Sequence, residues 1–126
     1  MRKQYHFRQV GDDTYIWDVH RLVELTQDLS IKSVLLTEIQ ELYEAYWFPQ
    51  GSPTTQQIIE HIQLIQDADL SYPIILCIDG RVMDGMHRVA KAQLQKDTHI
   101  HAVRFKHMPE PDFINVDEDD LEYDDE

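Results

Sequence analysis

Residues 73–94 constrain the fold more than any other stretch of the chain. Pro73 to Ile78 is an apolar run, and Asp79-Gly80 makes a tight turn after it. Arg81-Val82-Met83 then leads into a second Asp-Gly pair, Asp84-Gly85. Beyond it the spacing changes. Met86, Val89, Ala90 and Leu94 recur at i, i+3, i+4 and i+8, which is helical. The stretch therefore predicts a strand, a hairpin turn, a second strand ending at about Met83, and a helix starting just after Asp84. A helix that starts at Asp-Gly exposes several unpaired backbone N–H groups at the positive end of its dipole, which favours an anion. His87 and Arg88 in the first turn add donors suited to phosphate. A purely structural reading stands beside this one. In it Asp84 is a helix cap, Gly85 serves the turn and Arg88 is a solvated surface residue.

The string Pro73-Ile74-Ile75, Asp79-Gly80-Arg81-Val82-Met83 and Asp84-Gly85-Met86-His87-Arg88-Val89-Ala90-Lys91-Ala92 resembles the core of the ParB/sulfiredoxin superfamily. The likeness spans roughly residues 14–106, and its motif lies in 73–105. The resemblance implies a single compact α+β domain over 1–108, with a small mixed sheet, packed helices and a helix N-terminus that holds nucleotide phosphates. Met86 stands where sulfiredoxin needs a cysteine, so that reductase chemistry is not expected. Partition-type ParB proteins have a Glu-Arg-Arg form followed by a helix-turn-helix domain, and residues 93–126 hold no such domain. The Asp-Gly-x-His-Arg form is most similar to the free-serine kinases of the superfamily, which are about twice as long.

Two functions follow as expectations. One is an ATP- or ADP-dependent phosphotransferase acting on a small hydroxyl compound. The other is a non-catalytic nucleotide-dependent switch, with a protein partner or a second copy of the chain. For either, Gly85, Met86, His87 and Arg88 would hold the phosphates of ATP, ADP or CTP, and Asp84 would bind Mg²⁺. The catalytic set of the kinase reading is Glu38, Asp84 and His87. The kinases of the group draw a base from the early helical region, where Glu38, Glu41 and Glu44 are candidates and Glu38 leads. A glutamate in a first helical turn is also ordinary dipole design. A third activity attached to the superfamily, nuclease, is disfavoured by the charge. Ten of the 24 acids lie in 110–126, which leaves 14 against 11 bases in the body. Direct DNA binding needs a basic face, and no such stripe is visible.

The rest of the chain reads in order. Residues 5–10 and 14–17 alternate across Gly11-Asp12-Asp13, which predicts a hairpin. Asp18 is placed to cap a short helix carrying Val19, Leu22 and Val23. Ile31–Leu36 reads as a strand. Thr37-Glu38-Ile39-Gln40 matches a capping box and predicts a helix with Ile39, Leu42, Tyr43, Tyr46 and Trp47. The aromatics Tyr46, Trp47 and Phe48 read as core, with a base-stacking platform as the alternative. Thr54 or Thr55 starts a helix with Ile58, Ile59, Ile62 and Ile65 on one face, ending near Asp69. His99–Phe105 alternates as a strand.

From 109 onward the prolines Pro109 and Pro111 and the run Asp117–Asp120 predict a disordered acidic tail. That tail either solubilises the protein or competes for the anion site. The single cysteine, Cys77, sits in an apolar run and reads as a buried inert thiol. Seven histidines offer one strand pair, His99 and His101, without a third and fourth zinc ligand. There is no Walker loop, and no serine sits in a nucleophile context. No apolar run approaches the ~20 residues of a membrane helix, and no signal peptide is visible, so the expected location is cytoplasmic.

Overall fold

A computed structural model describes residues 4–123. The predicted hairpin forms from β1 (Tyr5–Val10) and β2 (Asp13–Asp18), paired antiparallel from Tyr5↔Asp18 to Val10↔Asp13. Gly11 supplies the positive φ of +62° that the turn requires. Asp18 then caps α1 (Val19–Leu25), its carboxylate accepting from His20 N at 2.9 Å. A four-stranded sheet follows, built from β3 (Lys32–Leu35), β4 (Ile74–Leu76), β5 (Val82–Asp84) and β6 (His99–Arg104) in the order β3-β6-β4-β5. Only the β4–β6 pair is parallel.

Period-2 alternation sorts this sheet's side chains between two cores. Ile74, Leu76, Val82 and Ala102 join Leu36, Ile39 and α3 (Met86–Leu94) on one face. Ile75, Cys77, Met83 and Val103 join Trp17 of β2 and Leu22 of α1 on the other. Cys77 is fully buried, as its setting in the apolar run predicts. The outcome is an α+β fold with a small mixed sheet covered on both faces. No helix among the described residues is long and apolar enough to cross a membrane.

α2 (Thr55–Asp67) has the capping box that its first residues allow, with Gln57 N donating to Thr54 Oγ1 and Thr54 N donating to Gln57 Oε1. Its other end is held by α3. Lys91 Nζ donates to the carbonyls of Gln66 and Ala68 at 3.0 and 2.7 Å, meeting the carbonyls that a helix terminus leaves unpaired.

Two expectations give way to the structure. The helix predicted from Thr37 is absent. Residues 36–43 form two 3₁₀ turns, Leu36–Glu38 and Gln40–Tyr43, split by Ile39 in an extended conformation. The cause is Glu41. Its carboxylate is 3 % exposed, accepts Val82 N at 2.7 Å and pairs with Arg81 Nε at 3.2 Å. Gln40 and Glu44 also accept from Arg81. Holding Gln40, Glu41 and Glu44 on one arginine turns the chain away from continuous helix, and Tyr43 is left exposed.

The second concerns the acidic tail expected to be disordered. Its described part, 109–123, lies along the β1–β2 hairpin; residues 124–126 fall outside the described residues. The Pro109 carbonyl accepts from Trp17 Nε1, and Asp112 accepts from Asp18 N and pairs with Arg21. β7 (Phe113–Ile114) extends the hairpin into a three-stranded sheet, and Leu121 is buried. Deleting 110–126 is therefore expected to cost about 2 kcal/mol or more, the scale of one buried leucine. For a chain of this size that lowers the melting temperature by roughly 5–10 °C. An unchanged melting temperature in a thermal scan would show that the segment contributes nothing to the fold.

Candidate functional site

The β4–β5 hairpin delivers the predicted motif. Its turn closes through Cys77 N to Arg81 O at 2.8 Å, with Gly80 at φ +83°. β5 ends at Asp84, and Gly85 takes φ +108° as the cap residue of α3, with no side-chain hydrogen bond closing the helix end. A Cβ on Gly85 would sit 2.6 Å from Ile74 Cγ2, so the position needs glycine for its space as well as its backbone angle. Asp84 does not cap α3. Its Oδ2 accepts from Arg88 Nη2 at 2.7 Å.

Arg88 is committed on its other side too. Nη1 donates to the carbonyls of Tyr72 and Pro73 at 3.1 and 2.9 Å, tying α3 to the entrance of β4. Asp84 and Arg88 are each 16 % exposed at the side chain and share the wall of a cavity of about 600 Å³. The rest of that wall is largely apolar and includes Val23, Ile31, Tyr72, Pro73 and Val103.

The other motif residues go elsewhere. Met86 is buried in the core, so only its backbone is available to a ligand. His87 Nε2 lies 2.8 Å from His61 Nδ1 of α2, and both imidazoles stack on Trp47, with centroids 4.6 and 4.5 Å from the indole. Phe48 meets His61 edge-on. Burial, and then the neighbouring His61, push the His87 pKa down to about 4, and burial lowers that of His61. His87 is thus a neutral imidazole near pH 7. It can donate one hydrogen bond and accept one, and it brings no positive charge to a phosphate.

The structure therefore brings Asp84 and Arg88 together and turns His87 toward a separate aromatic cluster. His61 is a partner of His87 that no local pattern signals, because 26 residues separate them. Trp47 was visible as core or as a stacking platform; the rings stacked on it are imidazoles. Glu38 is exposed at the end of the first 3₁₀ turn and is not among the residues lining the Asp84–Arg88 cavity. Glu41 and Glu44 are engaged with Arg81.

Asp84 is one carboxylate already paired with an arginine, so a Mg²⁺ ion there would compete with Arg88 and would rely on phosphate and water oxygens for its remaining ligands. Among the described residues no three His, Cys, Asp or Glu side chains gather into a metal site. His99 and His101 are exposed on β6, with His99 Nδ1 bonded to Thr98 Oγ1. Comparisons with protein-family models, curated proteins and solved structures find no match to this chain.

Proposed function

We propose that the chain is a nucleotide-binding module of the ParB/sulfiredoxin type that works by binding, with the phosphates at the start of α3 and the body of the nucleotide in the adjoining cavity. One observation carries this reading: α3 opens on a glycine with no side-chain cap, and the residues on either side of that opening, Asp84 and Arg88, line a cavity of about 600 Å³. Uncapped amides and the helix dipole supply anion affinity without a dedicated lysine or arginine. A cavity of that size is in the range that takes a small-molecule ligand.

Binding is favoured over phosphoryl transfer by the committed groups. Arg88 makes three hydrogen bonds within the protein, and His87 is neutral and stacked. Glu38 does not line the cavity. A phosphotransferase needs a base at the acceptor hydroxyl and a charge clamp on the transferred group. Asp84 on the cavity wall is the feature that keeps the phosphotransferase reading in play, as ligand to Mg²⁺.

ATP, ADP or CTP, with and without Mg²⁺, is expected to raise the melting temperature, since a ligand of the native state alone stabilises it by about 2.7 kcal/mol at a hundredfold excess over Kd. Labelled nucleotide is expected to transfer nothing to serine, other amino acids or sugars. Transfer of label would establish the kinase instead. No thermal shift with any of the three would remove the nucleotide reading altogether.

A further inference from the structure

A second cavity, of about 560 Å³, opens where the parallel strands β4 and β6 end. Ligands of sheets with parallel strands commonly lie beyond the carboxyl ends of those strands. Register puts Lys32, Leu76, Ala102 and Arg104 of the cavity's lining on one face. Lys32 lies opposite Ala102, Leu76 lies opposite Arg104, and Ala102 and Arg104 are two apart on β6. Leu76 and Ala102 form a buried apolar floor, and the cavity is also lined by Phe105, which is buried in the core of the other face.

Lys32, Arg104 and Lys106 ring this floor against a single acid, Asp28. The chain as a whole carries −13, with 24 acids and 11 bases, so three bases around one apolar floor reverse the prevailing sign. Among the described residues Lys32 and Lys106 have no ion pair. Arg104 is pre-positioned, because its Nε donates to the Ile78 carbonyl at 3.0 Å and its guanidinium lies over Gly80. An oriented guanidinium with two unpaired ammonium groups over an apolar floor suits a carboxylate head and a hydrocarbon body.

We propose that this cavity is a binding site for an organic carboxylate with an apolar chain or ring, separate from the site at α3. Lys32 and Lys106 do not line the Asp84–Arg88 cavity, so they distinguish the two.

The test is a calorimetric titration of the full chain with octanoate and, in parallel, octanol. Octanoate is expected to bind at least tenfold tighter than octanol, and to weaken as salt is raised. K32E/K106E is expected to lose octanoate affinity tenfold or more, with an unchanged melting temperature in the absence of ligand, both lysines being exposed. K32Q/K106Q keeps the test open should the glutamates disturb the fold, and is expected to show a smaller loss in the same direction. Equal affinity for octanoate and octanol, wild-type affinity in both variants, or no binding at millimolar octanoate would each overturn the assignment.

Discussion

Glu41→Ala is expected to destabilise the protein by roughly 3 kcal/mol, the lower end of the range for removing one partner of a buried ion pair. The carboxylate is nearly inaccessible and accepts from Val82 N at 2.7 Å. Without it that N–H is left buried and unpaired, which by itself costs about 1–3 kcal/mol. The loss on the Arg81 side is smaller. Arg81 is a third exposed and keeps Gln40 and Glu44. Solvent and these partners hold the estimate at the low end. Glu41→Gln retains an acceptor for Val82 and is expected to cost about half as much, in the range of one charged hydrogen bond made neutral. Denaturant unfolding measures both. A loss below about 1 kcal/mol for Glu41→Ala would mean that this contact does not hold residues 36–44 to β5.

Gly85→Ala is the second large effect, and it bears on the site directly. A φ of +108° is a strained conformation for any L side chain, costing about 1–3 kcal/mol. The added Cβ also meets Ile74 Cγ2 at 2.6 Å, and Ile74 is fully buried, so it has no room to give. Overpacking of this kind adds about 1–3 kcal/mol. The two costs together come to roughly 2–6 kcal/mol, and the start of α3 is expected to shift with them. Their origins separate in a double-mutant cycle with Ile74→Ala. That change opens a cavity of its own, but it removes the 2.6 Å contact with Cγ2 and leaves the 3.0 Å contacts with the residue-74 Cβ and Arg88 Nη2, so the pair is expected to be less destabilising than the two single changes added together. Strict additivity would place the cost in the backbone angle and the contacts with the residue-74 Cβ and Arg88, and none of it in Cγ2.

Where local pattern and tertiary contact agree, the fold was legible in the sequence. The hairpin 5–18, the cap at Asp18, α2 starting at Thr54 or Thr55, the β4–β5 hairpin and α3 all follow from alternation, helical spacing and turn residues. The segment after Thr37 was not legible. Its local signals are those of a helix, and what breaks it is a carboxylate bonded to an amide 41 residues away. The stretch 109–123 departs from its local signals for a similar reason. Its prolines and acids have the composition of disorder, while Asp112 finds Arg21 91 residues back in the chain and Trp17 finds the Pro109 carbonyl.

The site divides in the same way. That a helix opens at Asp84–Gly85, with the glycine serving the turn, was readable. That Arg88 is spent on Asp84 and the carbonyls of Tyr72 and Pro73, and His87 on His61, was not. These partners come from the packing of α3 against the entrance of β4 and against α2.

The central claim is that a nucleotide sits at the start of α3. An amide-resolved NMR titration of the ¹⁵N-labelled protein with ATP and Mg²⁺ tests it most directly. The expected result is saturable shifts concentrated at the amides of Gly85, Met86 and His87 and at Val23, Ile31 and Tyr72 of the adjoining cavity. Shifts that leave these residues unmoved and gather instead around Lys32, Arg104 and Lys106, or no saturable shifts at all, would contradict it.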